Sequence, residues 1–89
     1  MGTTIGEVLI SYDINRAHNE VKTALLSLGY FDNFKYTNES KIYYLPNTTL
    51  WHDKKSSDQA MSDLKIICAR LGATLEKAIA VNATEFVGI

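Results

Sequence analysis

Between Glu7 and Ile14 the chain alternates Val8, Ile10 and Tyr12 with Leu9, Ser11 and Asp13. Positions two apart share a side of an extended chain, so the run predicts a strand. Its large apolar residues in both registers predict two mostly covered faces. Asp13-Ile14-Asn15 ends the strand, with Asn15 the expected N-cap of a helix over Arg16 to Leu28. Val21, Ala24, Leu25 and Leu28 fall at i, i+3, i+4 and i+7 and form one apolar stripe, and Gly29 follows as a terminating glycine.

The middle of the chain is less regular. Tyr30 to Tyr36 alternates imperfectly, Thr37 to Ser40 reads as a turn, and Lys41 to Leu45 is a short aromatic strand. Pro46 cannot donate to a ladder and marks an edge or bulge. Thr48 to His52 is strand-like again. The region is expected to hold two principal antiparallel strands with an irregular hairpin or bulge. Ser56-Ser57-Asp58-Gln59 then has the form of a capping box. Ala60, Met61, Leu64, Ile67, Cys68 and Leu71 trace a helical stripe that Gly72 closes. Thr74 to Val81 is the last long strand, Asn82 to Thr84 a turn, and Glu85 to Ile89 an apolar tail.

The order strand, helix, two strands, helix, strand predicts a single α/β (α+β) domain over residues 1–89. Its expected type is ferredoxin-like βαββαβ, with an extra short C-terminal strand. Two helices of this size cover one face of such a sheet. The other face needs a partner, and a second copy is the simplest, so a sheet-mediated homodimer is expected.

Composition narrows the picture. Hydrophobic residues make up 46% of the 89 and charged ones 21%, which excludes a disordered chain. No apolar run reaches the roughly 18 residues needed to span a bilayer, and Met1 to Thr4 carries no secretory signature, so no membrane partner is expected. The single cysteine, Cys68, rules out an internal disulfide and any cysteine-rich metal site. It falls on the apolar helix stripe as a buried hydrophobe, and a cytoplasmic setting is expected. The net charge of −1 leaves out the basic excess usual in proteins that hold duplex DNA. Nucleic-acid binding would therefore need a local basic surface, a metal or a partner.

Asp13 is the first candidate for chemistry. A carboxylate at the end of the opening strand can bind a hard cation such as Mg²⁺, above all where a two-fold axis brings a second copy close. The structural alternative is a cap on the following turn and helix. Asn47, Thr48 and Thr49 beside Trp51 form the second candidate: hydroxyl and amide groups hold phosphate oxygens, and an aromatic ring stacks on a base. The alternative there is an Asx-type turn leading into a strand with a half-buried tryptophan. His18 and His52 have no metal-site spacing. Lys54 and Lys55 read as solvated, with a phosphate contact as the minority reading.

Val8-Leu9-Ile10-Ser11-Tyr12-Asp13-Ile14-Asn15 resembles the opening strand of the second CRISPR-associated protein, the small dimeric subunit of the spacer-acquisition complex. The chain is most similar to stand-alone relatives in that superfamily, through Ser27-Leu28-Gly29 and the strand Thr48-Thr49-Leu50-Trp51. The resemblance implies a ferredoxin-like fold dimerised through its sheets, with Glu85 to Ile89 adding to the partner's sheet. It also implies metal-dependent cleavage of RNA or DNA, with Mg²⁺ as cofactor shared by the two Asp13 side chains. Ser11, Tyr12, Asn15, Asn47, Thr48, Thr49 and Trp51 would then lie along the substrate. The related virulence-associated protein D toxins use this fold as a ribonuclease; other members are non-catalytic scaffolds, which makes a dimeric scaffold or regulatory binding protein the alternative. The segment Tyr30 to Lys41 is longer here than in the family.

Overall fold

A computed structural model of the chain describes residues 2–35 and 39–83. Strand β1 (Gly6–Ile14) leads to helix α1 (His18–Ser27), then to two-residue strands β2 (Asn33–Phe34) and β3 (Tyr43–Tyr44). Strand β4 (Thr49–Lys55), helix α2 (Ser57–Arg70) and strand β5 (Leu75–Asn82) follow. The architecture is α+β and compatible with the expected ferredoxin-like order. β1 is the centre of a three-stranded sheet, β4-β1-β5, with both neighbours antiparallel. β2 and β3 form a separate antiparallel ribbon. An isolated bridge, Phe31 to Trp51, joins the chain just before that ribbon to the outer edge of β4.

Alternation along β1 sorts the two faces. Val8, Ile10, Tyr12 and Ile14 are buried, and with Leu50 of β4 they meet Val21 and Leu25 of α1 and Ala60, Leu64, Ile67 and Cys68 of α2 in one core. Leu9 and Ser11 are half-buried and Asp13 is exposed on the opposite face. The expectation of two covered faces is corrected: both helices lie on one side, and the apolar residues of the other register stay partly open within one chain.

The helix ends differ from each other. At α2 the capping box forms as expected, with Ser56 Oγ accepting from Gln59 N at 3.1 Å and Gln59 Oε1 accepting from Ser56 N at 2.9 Å. At α1 the expected cap is corrected. The cap position is Ala17, left-handed at φ 61°, with no side-chain cap bond. Asn15 is engaged elsewhere: its Oδ1 accepts from Thr74 N at 2.8 Å, and its own N–H donates to the Thr74 carbonyl at 3.3 Å. Pairing between the β1–α1 and α2–β5 loops holds Asn15 outside the helix, so α1 starts two residues later than expected. Leu28, expected on the buried stripe, lies beyond the last turn and is 45% exposed. Gly29 does end the element, at φ 94°, with His52 Nε2 3.1 Å from where a Cβ would sit.

The middle region is also redistributed. Among the described residues of this region β2 and β3 are two residues each and β4 is the long strand, which continues past His52 to Lys55 because β1 supplies it with partners from Ser11 down to Gly6. Pro46 begins a turn closed by Thr49 N donating to its carbonyl at 3.0 Å, with Thr48 left-handed at φ 64°. Asn82, expected in a turn, is the last residue of β5 and pairs with Val8. The expected turn residues Thr37 and Asn38 and the tail Glu85 to Ile89 lie outside the described residues.

Leu64 is fully buried, and Leu64→Ala is expected to lower the unfolding free energy by about 2–5 kcal/mol. Ser56→Ala, which removes a buried cap, should cost about 1–2 kcal/mol. Leu28→Ala should stay within about 0.5 kcal/mol. Urea denaturation of the three variants measures the order, and a costly Leu28→Ala would contradict this packing.

Candidate functional site

The face of the sheet turned away from the helices is built by cross-strand register. Leu9 lies between Trp51 and Val81, Ser11 between Thr49 and Ile79, and Asp13 opposite Lys77. Phe31 extends the first row, its ring 4.8 Å from that of Trp51. Ile79 is 58% exposed and Val81 40%, so the lower part of this face is an open apolar surface. Its upper end is polar. There Ser11, Asp13, Thr48 and Lys77 line a shallow depression of about 320 Å³, together with Tyr12, Ala78 and Ile79. Thr49 Oγ1 donates to Ser11 Oγ at 3.4 Å, which ties the two hydroxyls into one row.

Asp13 is exposed at the open end of the central strand, four residues before the α1 cap. It is therefore not a helix cap. The register sets a lysine opposite it, so the strand end carries a carboxylate and an ammonium, groups suited to a cation and a phosphate respectively.

The remaining sequence candidates are dispersed. Tyr12 shares the strand but points its ring the other way, into the core, at 4% exposure. Burial, followed by the nearby Cys68, pushes its phenol up to about 12. Asn15 sits in the loop clasped to Thr74. Asn47 is exposed in the Pro46 turn, and Thr48 carries the left-handed residue of that turn while its carbonyl accepts from Tyr12 N at 3.1 Å. Trp51 is half-buried two residues down β4 from Thr49, and its Nε1 donates to the Asn33 carbonyl at 2.8 Å. Ser11, Asp13, Thr48 and Thr49 thus come together, whereas Tyr12, Asn15 and Trp51 each have structural duties.

Lys77 was missed by sequence reasoning. Only the β1–β5 register puts it opposite Asp13, and no spacing along the chain announces that. A second network also escaped notice: Tyr30 Oη donates to Asp63 Oδ2 at 2.9 Å, and Lys55 Nζ bonds to the same oxygen. Lys55 is thereby committed to Asp63, against the phosphate-contact reading. Burial, then the bond to Asp63, drives the Tyr30 phenol far upward. His52 is likewise structural, its Nδ1 accepting from Lys54 N at 2.9 Å and its ring edge-on to Tyr30 at 5.0 Å. Cys68 is buried, and burial raises its thiol.

The donor set limits what a metal could find here. Among the described residues no group of three or more His, Cys, Asp and Glu side chains is placed to hold an ion. One chain offers Asp13 with neighbouring hydroxyls. Mg²⁺ keeps several waters and takes one or two carboxylates, so this set fits the ion where a second copy adds its own Asp13. A larger cleft of about 400 Å³ lies between α1 and α2, lined by Ala24, Ile67 and Leu71 among others, with Glu20 and Arg70 as its charged members. It is remote from Asp13, on the helix side of the molecule. No helix among the described residues is long and apolar enough to cross a membrane. Comparison with family models, curated proteins and solved structures finds no match.

The buried tyrosines set an alkaline limit. Their folded-state pKa values lie above the unfolded value of about 10, so the stability tied to the neutral phenols is complete below about pH 10 and is lost as pH rises. For Tyr12 the window runs from about 10 to about 12. The melting temperature is expected to fall across that window, and Tyr12→Phe is expected to blunt the fall. An equal fall in Tyr12→Phe would assign the effect to Tyr30.

Proposed function

We propose that this protein is a cytoplasmic homodimer of ferredoxin-like type that handles nucleic acid and cleaves phosphodiester bonds with Mg²⁺ held between two Asp13 carboxylates. One observation carries the reading: the sheet face left open by the helices is apolar through Leu9, Phe31, Trp51, Ile79 and Val81 and ends in the exposed Asp13. A second copy laid on that face removes the exposed Ile79 and Val81 from water. The same contact brings two carboxylates toward one axis, because a two-fold interface places the same patch on both sides. The Phe31–Trp51 bridge supports the ferredoxin-like reading, since it puts a fourth chain segment beside β4, in the order β5-β1-β4-Phe31. Cys68, buried and unpaired, suits a reducing compartment.

In this reading the ion supplies charge neutralisation of the phosphate and a more acidic bound water. The chain's own residues do the rest. Asp13 is the ligand, and Lys77 beside it takes a non-bridging phosphate oxygen. The hydroxyls of Ser11 and Thr49, already in one hydrogen-bonded row, orient the strand by accepting from and donating to its sugar or phosphate groups. Asn47 and Thr48, in the turn above, border the same depression through Thr48.

The non-catalytic alternative, a dimeric scaffold or regulatory binding protein, is favoured by a specific feature: Asp13 is the one acid lining the depression, and it shares that depression with Lys77. The two readings separate in one experiment. With Mg²⁺, the purified dimer is expected to cut single-stranded RNA or duplex DNA. Asp13→Asn should abolish cutting by at least a hundredfold while sedimentation velocity still reports a dimer. Ile79→Glu should give monomers and lose cutting as well. Binding without turnover in the wild type would establish the scaffold, and cutting that survives Asp13→Asn would remove Asp13 from the mechanism.

A further inference from the structure

The cleft between α1 and α2 has no part in the function proposed above. Asn19, Thr23 and Ser27 recur every four residues along its α1 wall, a row of short side chains. Ala24 of α1, with Ile67 and Leu71 from the end of α2, makes the apolar floor. Val21 and Leu25 seat one helix on the sheet, and Leu64 and Cys68 seat the other, so neither can shift sideways to close the gap. About 400 Å³ therefore stays open. The opening continues into a smaller hollow of about 240 Å³, which shares Ala24, Ser27, Ile67 and Arg70 with it and adds the exposed Leu28 and Ile66. The two together form an apolar furrow along the seam of the helix layer.

The charges of the furrow are the unusual part. Glu20 lies in the first turn of α1 and Arg70 in the last turn of α2. The bond from Thr74 N to Asn15 Oδ1 ties the loop before α1 to the loop after α2, so these two turns are neighbours at one end of the furrow. Both side chains border the larger opening, yet among the described residues neither forms an ion pair, with the other or with a third group. Asp63, at the far end, is already taken by Tyr30 and Lys55. One end thus offers an acid and a base without partners, and the rest is apolar.

We infer that this furrow binds a small zwitterion with an apolar side chain, an α-amino acid of the leucine or phenylalanine kind. Its carboxylate meets Arg70, its ammonium meets Glu20, and its side chain lies over Ala24 and Ile67. The pair of opposite charges decides the head group. A fatty carboxylate would reach Arg70 and face Glu20 as a like charge, and a simple amine would do the reverse. An α-amino acid carries both groups on one carbon and gains a charge-assisted hydrogen bond from each. The volume, the position between helices and the few polar groups gathered at one end are those of small-ligand sites. The furrow is on the helix side, away from Asp13, so the inference goes beyond the nucleic-acid reading and does not rest on it.

The test is isothermal titration calorimetry of the full chain with L-leucine and L-phenylalanine. The controls are 4-methylpentanoate, which lacks the ammonium, 3-methylbutylamine, which lacks the carboxylate, and glycine, which lacks the side chain. The wild type is expected to bind leucine or phenylalanine with a Kd on the order of 0.1–1 mM, as suits a small ligand in an open cleft. Each control should bind weaker by about tenfold or more, and Arg70→Ala and Glu20→Gln should each cost the amino acid about tenfold. Both residues are exposed, so without ligand both variants should melt as the wild type does. Leucine should raise the Tm of the wild type and leave that of Arg70→Ala in place. Ala24→Leu, which fills the floor, should abolish binding; Ala24 is half-buried, and the two surface variants keep the test open should Ala24→Leu fail to fold. Asp13→Asn should bind leucine as the wild type does. A wild type that binds neither amino acid, or binding unchanged in both Arg70→Ala and Glu20→Gln, would overturn the proposal and leave the Asp13 reading standing. Equal affinity for 4-methylpentanoate or 3-methylbutylamine would overturn the zwitterion.

Discussion

The central constraint on this molecule is the two-residue period of one strand. β1 pairs on both edges, so every neighbour inherits its facing: what lies beside Ile10 goes to the helices, and what lies beside Leu9 or Ser11 goes to the other side. A slip of one residue would exchange Val8, Ile10, Tyr12 and Ile14 with Leu9, Ser11 and Asp13, and would drive a carboxylate into the core. The cost of burying that charge locks the register. Site and core are therefore specified by the same eight or so residues.

From this follows the division of labour between the faces. On the helix side α1 and α2 supply Val21, Leu25, Ala60, Leu64, Ile67 and Cys68, enough to enclose the even positions of β1. On the far side the chain supplies the bridge from Phe31 and the tilt of Trp51, which shelter only the β4 edge. β5 gives Ala78 and Ala80 to the core and turns Ile79 and Val81 outward, a choice of small residues inward and large ones outward that a strand in a lone monomer would be expected to reverse. That inversion is what leaves an apolar surface on the side away from the helices.

Local patterns carried most of the fold. The stripe from Ala60 to Cys68 and the Ser56–Gln59 box needed only residues near one another in sequence, and the helix they imply is there. The β1 alternation was equally legible, and so was the single open face once two helices had to cover it. What failed to show was set by distant partners. Asn15 looks like a cap because its side chain can accept an N–H, but the N–H it receives belongs to Thr74, fifty-nine residues on. The length of β4 depends on β1, and Lys77 meets Asp13 only through the sheet. For the candidate site, Asp13 itself could be picked out at a strand end; whether Tyr12 shared its side could be decided by parity alone, and the run of three polar groups Ser11-Tyr12-Asp13 obscured it.

The unequal beginnings of the two helices have a dynamic meaning. α2 starts with a buried serine locked in both directions, whereas α1 starts at an alanine whose backbone sits in a region that costs an L-residue about 1–2 kcal/mol. Fluctuation out of the folded ensemble will thus be graded, with α1 the first layer to peel and α2 the last to stay on the sheet. Were α1 to lift, Val21 and Leu25 would be wetted while the β4-β1-β5 ladder, and with it the carboxylate end, kept its shape. A chain of this size can breathe on one flank and hold the opposite one still.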